Sequence, residues 1–128
     1  MGDRRQVIFE FGLPNQPENE QFVNSIVLYT HWGGSDLPNN LAQAILTAKP
    51  RWGDDNYFTR IVVSQIVNLD WNEETGFGLD IHYCDSEYAD FFVNLPNQTV
   101  RLGIQGKEMT FQEFIDTVVR DPDFGGYK

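Results

Sequence analysis

The chain has 128 residues, enough for one domain with a sizeable core, and its 10 Phe, 5 Tyr and 3 Trp can fill that core without disulfide or metal staples. Its 19 acidic against 9 basic residues give a formal net charge of -10, which argues against non-specific nucleic-acid binding, because phosphate contacts need clustered Lys and Arg. Cys84 is the single cysteine, so an internal disulfide and a cysteine-rich zinc site are both excluded, and a reducing compartment is favoured.

In chain order, the first residues run from charge directly into alternation, without the apolar block of a signal peptide, and no later run approaches transmembrane length. A cytoplasmic protein with no membrane contact is expected. Gln6 to Phe11 alternate, with Val7, Phe9 and Phe11 on one side, and read as a strand. The polar segment from Pro14 to Glu20 turns the chain into a second, antiparallel strand over Phe22 to His31. Gly33-Gly34 stops it. Ser35 or Asp36 then caps a helix that tolerates Pro38 in its first turn, aligns Leu37, Leu41, Ala44, Ile45 and Ala48, and ends near Lys49, before Pro50.

Arg51 to Tyr57 is rich in turn formers, and either Asp54 or Asp55 can cap a second helix. From Tyr57 to Leu69 the β-branched content favours a strand, but Phe58, Ile61, Val62, Ile66 and Leu69 recur at spacings of three and four, which predicts that helix. Three strands are expected next, over Gly76 to Tyr83, Asp90 to Leu95 and Thr99 to Ile104, with a turn at Pro96-Asn97-Gln98. Thr110 to Glu113 matches a capping box before Phe114, Ile115 and Val118, so a short helix closes the chain. Residues 1–128 therefore read as a single α+β domain of order β-β-α-α-β-β-β-α. Its sheet is mostly antiparallel, two central helices and a C-terminal helix pack on one face, and residues 121–128 form a flexible tail. An open sheet edge makes a homodimer plausible.

The chemistry centres on Tyr29-Thr30-His31-Trp32-Gly33-Gly34. In one reading Trp32 plugs the sheet–helix junction, His31 bonds a backbone group and the glycines permit the turn. In the other, His31 and Trp32 meet Arg51, Trp52, Tyr57 and Arg60 in an aromatic, cationic pocket, with the amides of Gly33 and Gly34 suited to an anion. That second arrangement requires the turn after the first helix to fold back along the sheet.

Asp80, His82 and Cys84 share a strand face, but they point in parallel about 6.5 Å apart and the chain offers no matching His or Cys pair, so no metal is expected. Ser25, Ser35, Ser64 and Ser86 lack a nucleophile-elbow setting, and Gly76-Phe77-Gly78 is too short for a dinucleotide loop, so no cofactor is expected either. The acidic excess serves solubility or offers an acidic face to a basic partner. The carboxylates fall in scattered pairs such as Asp54-Asp55 and Glu73-Glu74, with no continuous DNA-mimicking stripe.

Several segments together resemble a known family. They are Gly2-Asp3-Arg4, the Tyr-x-His-Trp-Gly-Gly strand end at 29–34, Leu37 and Leu41, the Arg-Trp-x-Asp-x-x-Tyr segment at 51–57 with Arg60-Ile61, and Thr75-Gly76-Phe77-Gly78. The resemblance is to small uncharacterised proteins of phages, prophages and plasmids, and it spans roughly residues 2–78. It implies no nameable reaction. It does imply an accessory protein of a mobile element, acting in the host cytoplasm by blocking or sequestering a host component. The expected function is thus non-enzymatic binding of a host protein, or of a small anionic ligand such as a signalling nucleotide, through His31, Trp32, Arg51, Trp52, Tyr57 and Arg60. The alternative is a small hydrolase or nuclease using His31 with Asp54 or Asp55.

Overall fold

The computed structural model describes residues 2–12 and 24–125; the expected loop at 14–20, the start of the second strand at 22–23 and the end of the tail at 126–128 lie outside the described residues. Strands β1 (Arg5–Phe11) and β2 (Asn24–Thr30) pair antiparallel and are followed by helices α1 (Leu37–Thr47) and α2 (Asp55–Val67). Strands β3 (Phe77–Asp80), β4 (Phe91–Asn94) and β5 (Thr99–Leu102) come next, then a two-residue strand β6 (Met109–Thr110) and helix α3 (Phe111–Arg120). Together the strands make one sheet of order β3-β2-β1-β4-β5-β6, antiparallel throughout except for the β1–β4 pair. The expected α+β order holds, with β6 as the addition.

Each helix follows from its local sequence. Leu37, Leu41, Ala42, Ala44 and Ile45 form the buried stripe of α1, whose first turn carries Pro38 where no intrahelical amide partner is needed. In the ambiguous segment after Tyr57, the Asp54 side chain accepts a hydrogen bond from the Tyr57 amide and starts α2, which buries Phe58, Thr59, Val62 and Ile66 on one side. Helical spacing therefore prevails over β-branched composition. A 3-10 turn, Asn68–Asp70, continues it. The Thr110–Glu113 capping box forms in both directions and starts α3.

All three helices lie on one sheet face. Val7, Phe9, Leu28, Phe91, Val93 and Val100 point from the sheet into a core completed by Leu41, Ile45, Phe58, Val62, Phe111 and Phe114. Aromatic contacts knit these layers together: Phe58 of α2 stacks on Phe111 of α3 at 4.9 Å, and Phe114 of α3 lies edge-on to Phe91 of β4 at 5.6 Å. On the opposite face Ile8, Val27 and Phe92 form a smaller cluster, with the Tyr83 ring edge-on to Phe92. Gln6 holds the 81–90 segment over this face, because its side-chain amide both donates to the Cys84 carbonyl and accepts from the Cys84 amide.

Arg5 is the feature that charge patterning concealed. It sits on the helix-facing side of β1, fully buried, with its guanidinium 4.3 Å from the Phe91 ring centroid and 4.9 Å from that of Tyr88. Its Nε donates to the Ala89 carbonyl, and Nη1 donates to the carbonyls of Gly125 and Gly34. Burial pushes this guanidinium down to about 10, against the opposing pull of Tyr88, Asp90 and Asp3, so it remains a cation at neutral pH. Arg5 and the Phe124–Phe114 contact tie residues 121–125 to the body, where the sequence pattern predicts a loose tail. No described helix is long and apolar enough to cross a membrane.

Candidate functional site

The end of β2 is built around close backbone approach. The His31 carbonyl accepts from the Asp3 amide and the His31 amide donates to the Gly76 carbonyl, so the corner is stitched to both flanking segments. Neither Gly33 nor Gly34 has positive φ. Gly34 is required by proximity instead, since a Cβ there would stand 2.5 Å from the Asp3 carbonyl and 2.9 Å from the Tyr88 ring. The two glycine amides are also engaged, Gly33 with the Thr30 hydroxyl and Gly34 with the Asp3 carbonyl, so they are not available to an anion. Asp3 is further held by Tyr88 and Ser35. Burial pushes its carboxyl up, but those hydrogen bonds outweigh it and leave the group below its ordinary value.

His31 is committed to structure. Its Nδ1 lies 2.6 Å from the Tyr29 hydroxyl, a hydrogen bond whose donor depends on the imidazole tautomer, and its Nε2 packs on Gly2, where a Cβ would come within 2.7 Å. Burial pushes the Tyr29 phenol up, so this partner stays neutral. The imidazole also meets the Trp32 ring edge-on at 4.2 Å. Trp32 itself is 62% exposed, which corrects the reading of this residue as a plug.

Arg51, Trp52, Tyr57 and Arg60 are not brought to this corner. Helix α1 has 11 residues and extends about 17 Å, carrying the chain away from Gly34. The Arg51–Tyr57 turn stays at that far end, and the return along α2 brings Gln65, Ile66 and Asn68, not Arg51, beside Trp32. At the far end Trp52 is the structural residue, since its Nε1 donates to the Ile45 carbonyl and its ring packs edge-on to Phe111 at 5.3 Å. The Arg51 guanidinium lies over the Tyr57 ring, and Arg60 is exposed. Asp54 caps α2 and Asp55 stands in its first turn, so the His31–aspartate pair of the alternative reading is separated in the same way.

The feature that does gather near the corner is an open strand edge. Among the described residues β3 is the outermost strand, paired on one side only, with β2. Two clefts flank it. One, of about 270 Å³, lies towards the helices between Val63, Val67, Trp71, Phe77 and Leu79. The other, of about 430 Å³, is lined by Tyr29, His31, Trp32, Glu74 and the Thr75–Gly78 stretch. Trp71 is 76% exposed and Leu79 63%, and Ile81, directly after the strand, is exposed as well.

Comparison with protein-family models, curated proteins and solved structures finds no match. The chemistry of this edge is therefore read from its own residues.

Electrostatics separates this edge from the rest of the surface. Between Ile61 and Val100 the chain has no Lys or Arg, while Asp70, Glu73, Glu74, Asp80, Asp85, Glu87 and Asp90 are acidic. Arg4 neutralises Glu87 through an ion pair of 2.9 Å. Asp70, Glu73, Glu74 and Asp80, which border β3, have no ion-pair partner among the described residues. Hydrogen bonds from the His82 and Ile81 amides hold the Asp80 carboxyl below the usual carboxylate range, so it stays charged. The same two bonds turn the backbone away after Asp80, and no three His, Cys, Asp or Glu side chains among the described residues converge to hold a metal ion. Of the expected site residues, His31 and Trp32 border the edge. Trp71 and Leu79 were not singled out from the sequence, and Phe77, Glu73, Glu74 and Asp80 were considered there in other roles, although the long interval without Lys or Arg marks them all.

Proposed function

We propose that this chain is a non-enzymatic binding protein, an accessory or anti-defence factor of a phage or mobile element, which engages a host protein in the host cytoplasm through the β3 edge. The observation that carries the binding role is the gathering of exposed Trp32, Trp71 and Leu79 around a strand whose outer side meets no other strand among the described residues. Exposed apolar side chains beside concave surface are how interaction sites differ from the scattered apolar residues of an ordinary surface. The mobile-element setting rests on the sequence resemblance over residues 2–78. A small anionic ligand has less support, because the clefts beside Trp32 are bordered by Glu74, Asp36 and Asp70, whereas Arg51 lies beyond the far end of α1 and Arg60 in the middle of α2, and neither lines them. Direct nucleic-acid binding is disfavoured on the same electrostatic ground.

A photo-crosslinking amino acid placed at position 71 or 79, and separately at 51 or 60, tests this in host cells. The expected result is one defined adduct, identified by mass spectrometry, from 71 and 79 but not from 51 and 60, and weakened by Trp32→Ala. Adducts confined to 51 and 60, or none from any position, would overturn the proposal.

A further inference from the structure

The partner's chemistry and its mode of binding can be taken further, on the basis of the binding role just proposed. In an antiparallel ladder, residues alternate between pairs that exchange hydrogen bonds and pairs that do not. The His31 amide donates to the Gly76 carbonyl across β2 and β3, and the register places Tyr29 opposite Gly78 and Val27 opposite Asp80. Gly76, Gly78 and Asp80 therefore turn their backbone groups towards β2. Phe77 and Leu79 turn theirs outward, and among the described residues no strand meets them.

We infer that β3 accepts an extended, cationic segment of a partner protein as a seventh strand. Three observations select this occupant. Outward amides and carbonyls at alternate residues are the hydrogen-bonding template that strand addition uses. Leu79 projects to the helix side, beside the Trp71 cleft, whereas Gly78 shares the other side with Tyr29, so the clefts receive alternate side chains of an added strand. A Cβ at Gly78 would meet nothing within 4 Å, which leaves room there for an incoming side chain. Finally, Asp70, Glu73, Glu74 and Asp80 surround the strand with uncompensated negative charge, which favours Lys and Arg and rejects acidic segments. A second copy is a poor occupant for that reason, because pairing β3 with itself brings two such carboxylate sets together within a molecule of net charge -10.

The test uses the full chain and three synthetic probes of about eight residues, a length that spans β3 with overhang. The first alternates Lys and Val, the second Glu and Val, and the third repeats the first with alternate amides N-methylated. Fluorescence of the exposed tryptophans or calorimetry reports binding. The Lys/Val peptide should bind. The Glu/Val and N-methylated peptides should bind at least about tenfold more weakly, the first through charge and the second through lost backbone donors. The double variant Glu73→Lys, Glu74→Lys changes only exposed side chains, and should reduce Lys/Val binding while keeping the thermal transition. Equal binding of the Glu/Val peptide, indifference to N-methylation, or a dimer in solution that the Lys/Val peptide fails to dissociate would each overturn the inference. Position-specific cross-linking from 71 and 79 combined with no peptide discrimination would sink strand addition and leave the binding role intact. Absence of cross-linking would sink the role itself.

Discussion

Trp32 and Trp52 illustrate how residue identity and residue role come apart. From the sequence both belonged to one pocket, with Trp32 alternatively a core plug, because an aromatic flanking a turn reads the same whether it faces in or out. The structure exposes Trp32 and gives Trp52 a partly buried hydrogen bond to the Ile45 carbonyl and an edge-on contact with Phe111. Trp52→Ala should therefore cost about 3 kcal/mol in urea unfolding, while Trp32→Ala should stay within about 0.5–1 kcal/mol of the parent. The reverse order would restore Trp32 to the core. Arg5 was illegible for a different reason. Nothing in Gly2-Asp3-Arg4-Arg5 distinguishes a solvated charge from one boxed by Tyr88, Phe91 and three carbonyls, since those partners come from residues 34, 88–91 and 125.

At the scale of elements, the legible parts were those with local determinants. The Thr110–Glu113 box, the Asp54 cap and the buried stripe of α1 are written within a few consecutive residues, and all form. β3 was expected to run to Tyr83 because alternation continues, but the Asp80 side chain captures the Ile81 and His82 amides and ends the ladder. β6 escaped notice because two residues carry no period. The capping box gives an element-scale prediction: Thr110→Ala should destabilise the protein by about 1 kcal/mol at neutral pH. Hydrogen bonds from the Thr110 backbone and side chain hold the Glu113 carboxyl below its ordinary value, so its contribution is full above the unfolded value and is lost as pH falls through the folded one. The stability difference between Glu113→Ala and the parent, measured by urea unfolding across pH, should accordingly shrink on acidification below the ordinary glutamate range. A gap that stays constant would show that the box does not act through that carboxylate.

Across the whole molecule, the sheet divides the surface into two unlike ends. The Arg51–Arg60 stretch carries cations and a structural tryptophan, whereas the β3 end combines exposed apolar side chains with carboxylates, and no Lys or Arg occurs between positions 61 and 100. Of the residues that the sequence reading grouped together, His31 and Trp32 lie beside β3. That grouping assigned them the wrong companions, because the length of α1 and the antiparallel return of α2 decide which residues share an end. Both the binding role and strand addition require the outer side of β3 to be a working edge. Amide hydrogen exchange at Phe77 and Leu79, followed by NMR with and without the Lys/Val peptide, tests this without intermediaries. Both amides should exchange fast in the free protein and become strongly protected when the peptide is bound, with Gly78 and Asp80 protected in either state. Phe77 and Leu79 already protected in the free protein, or unprotected in the bound one, would contradict a working edge at β3.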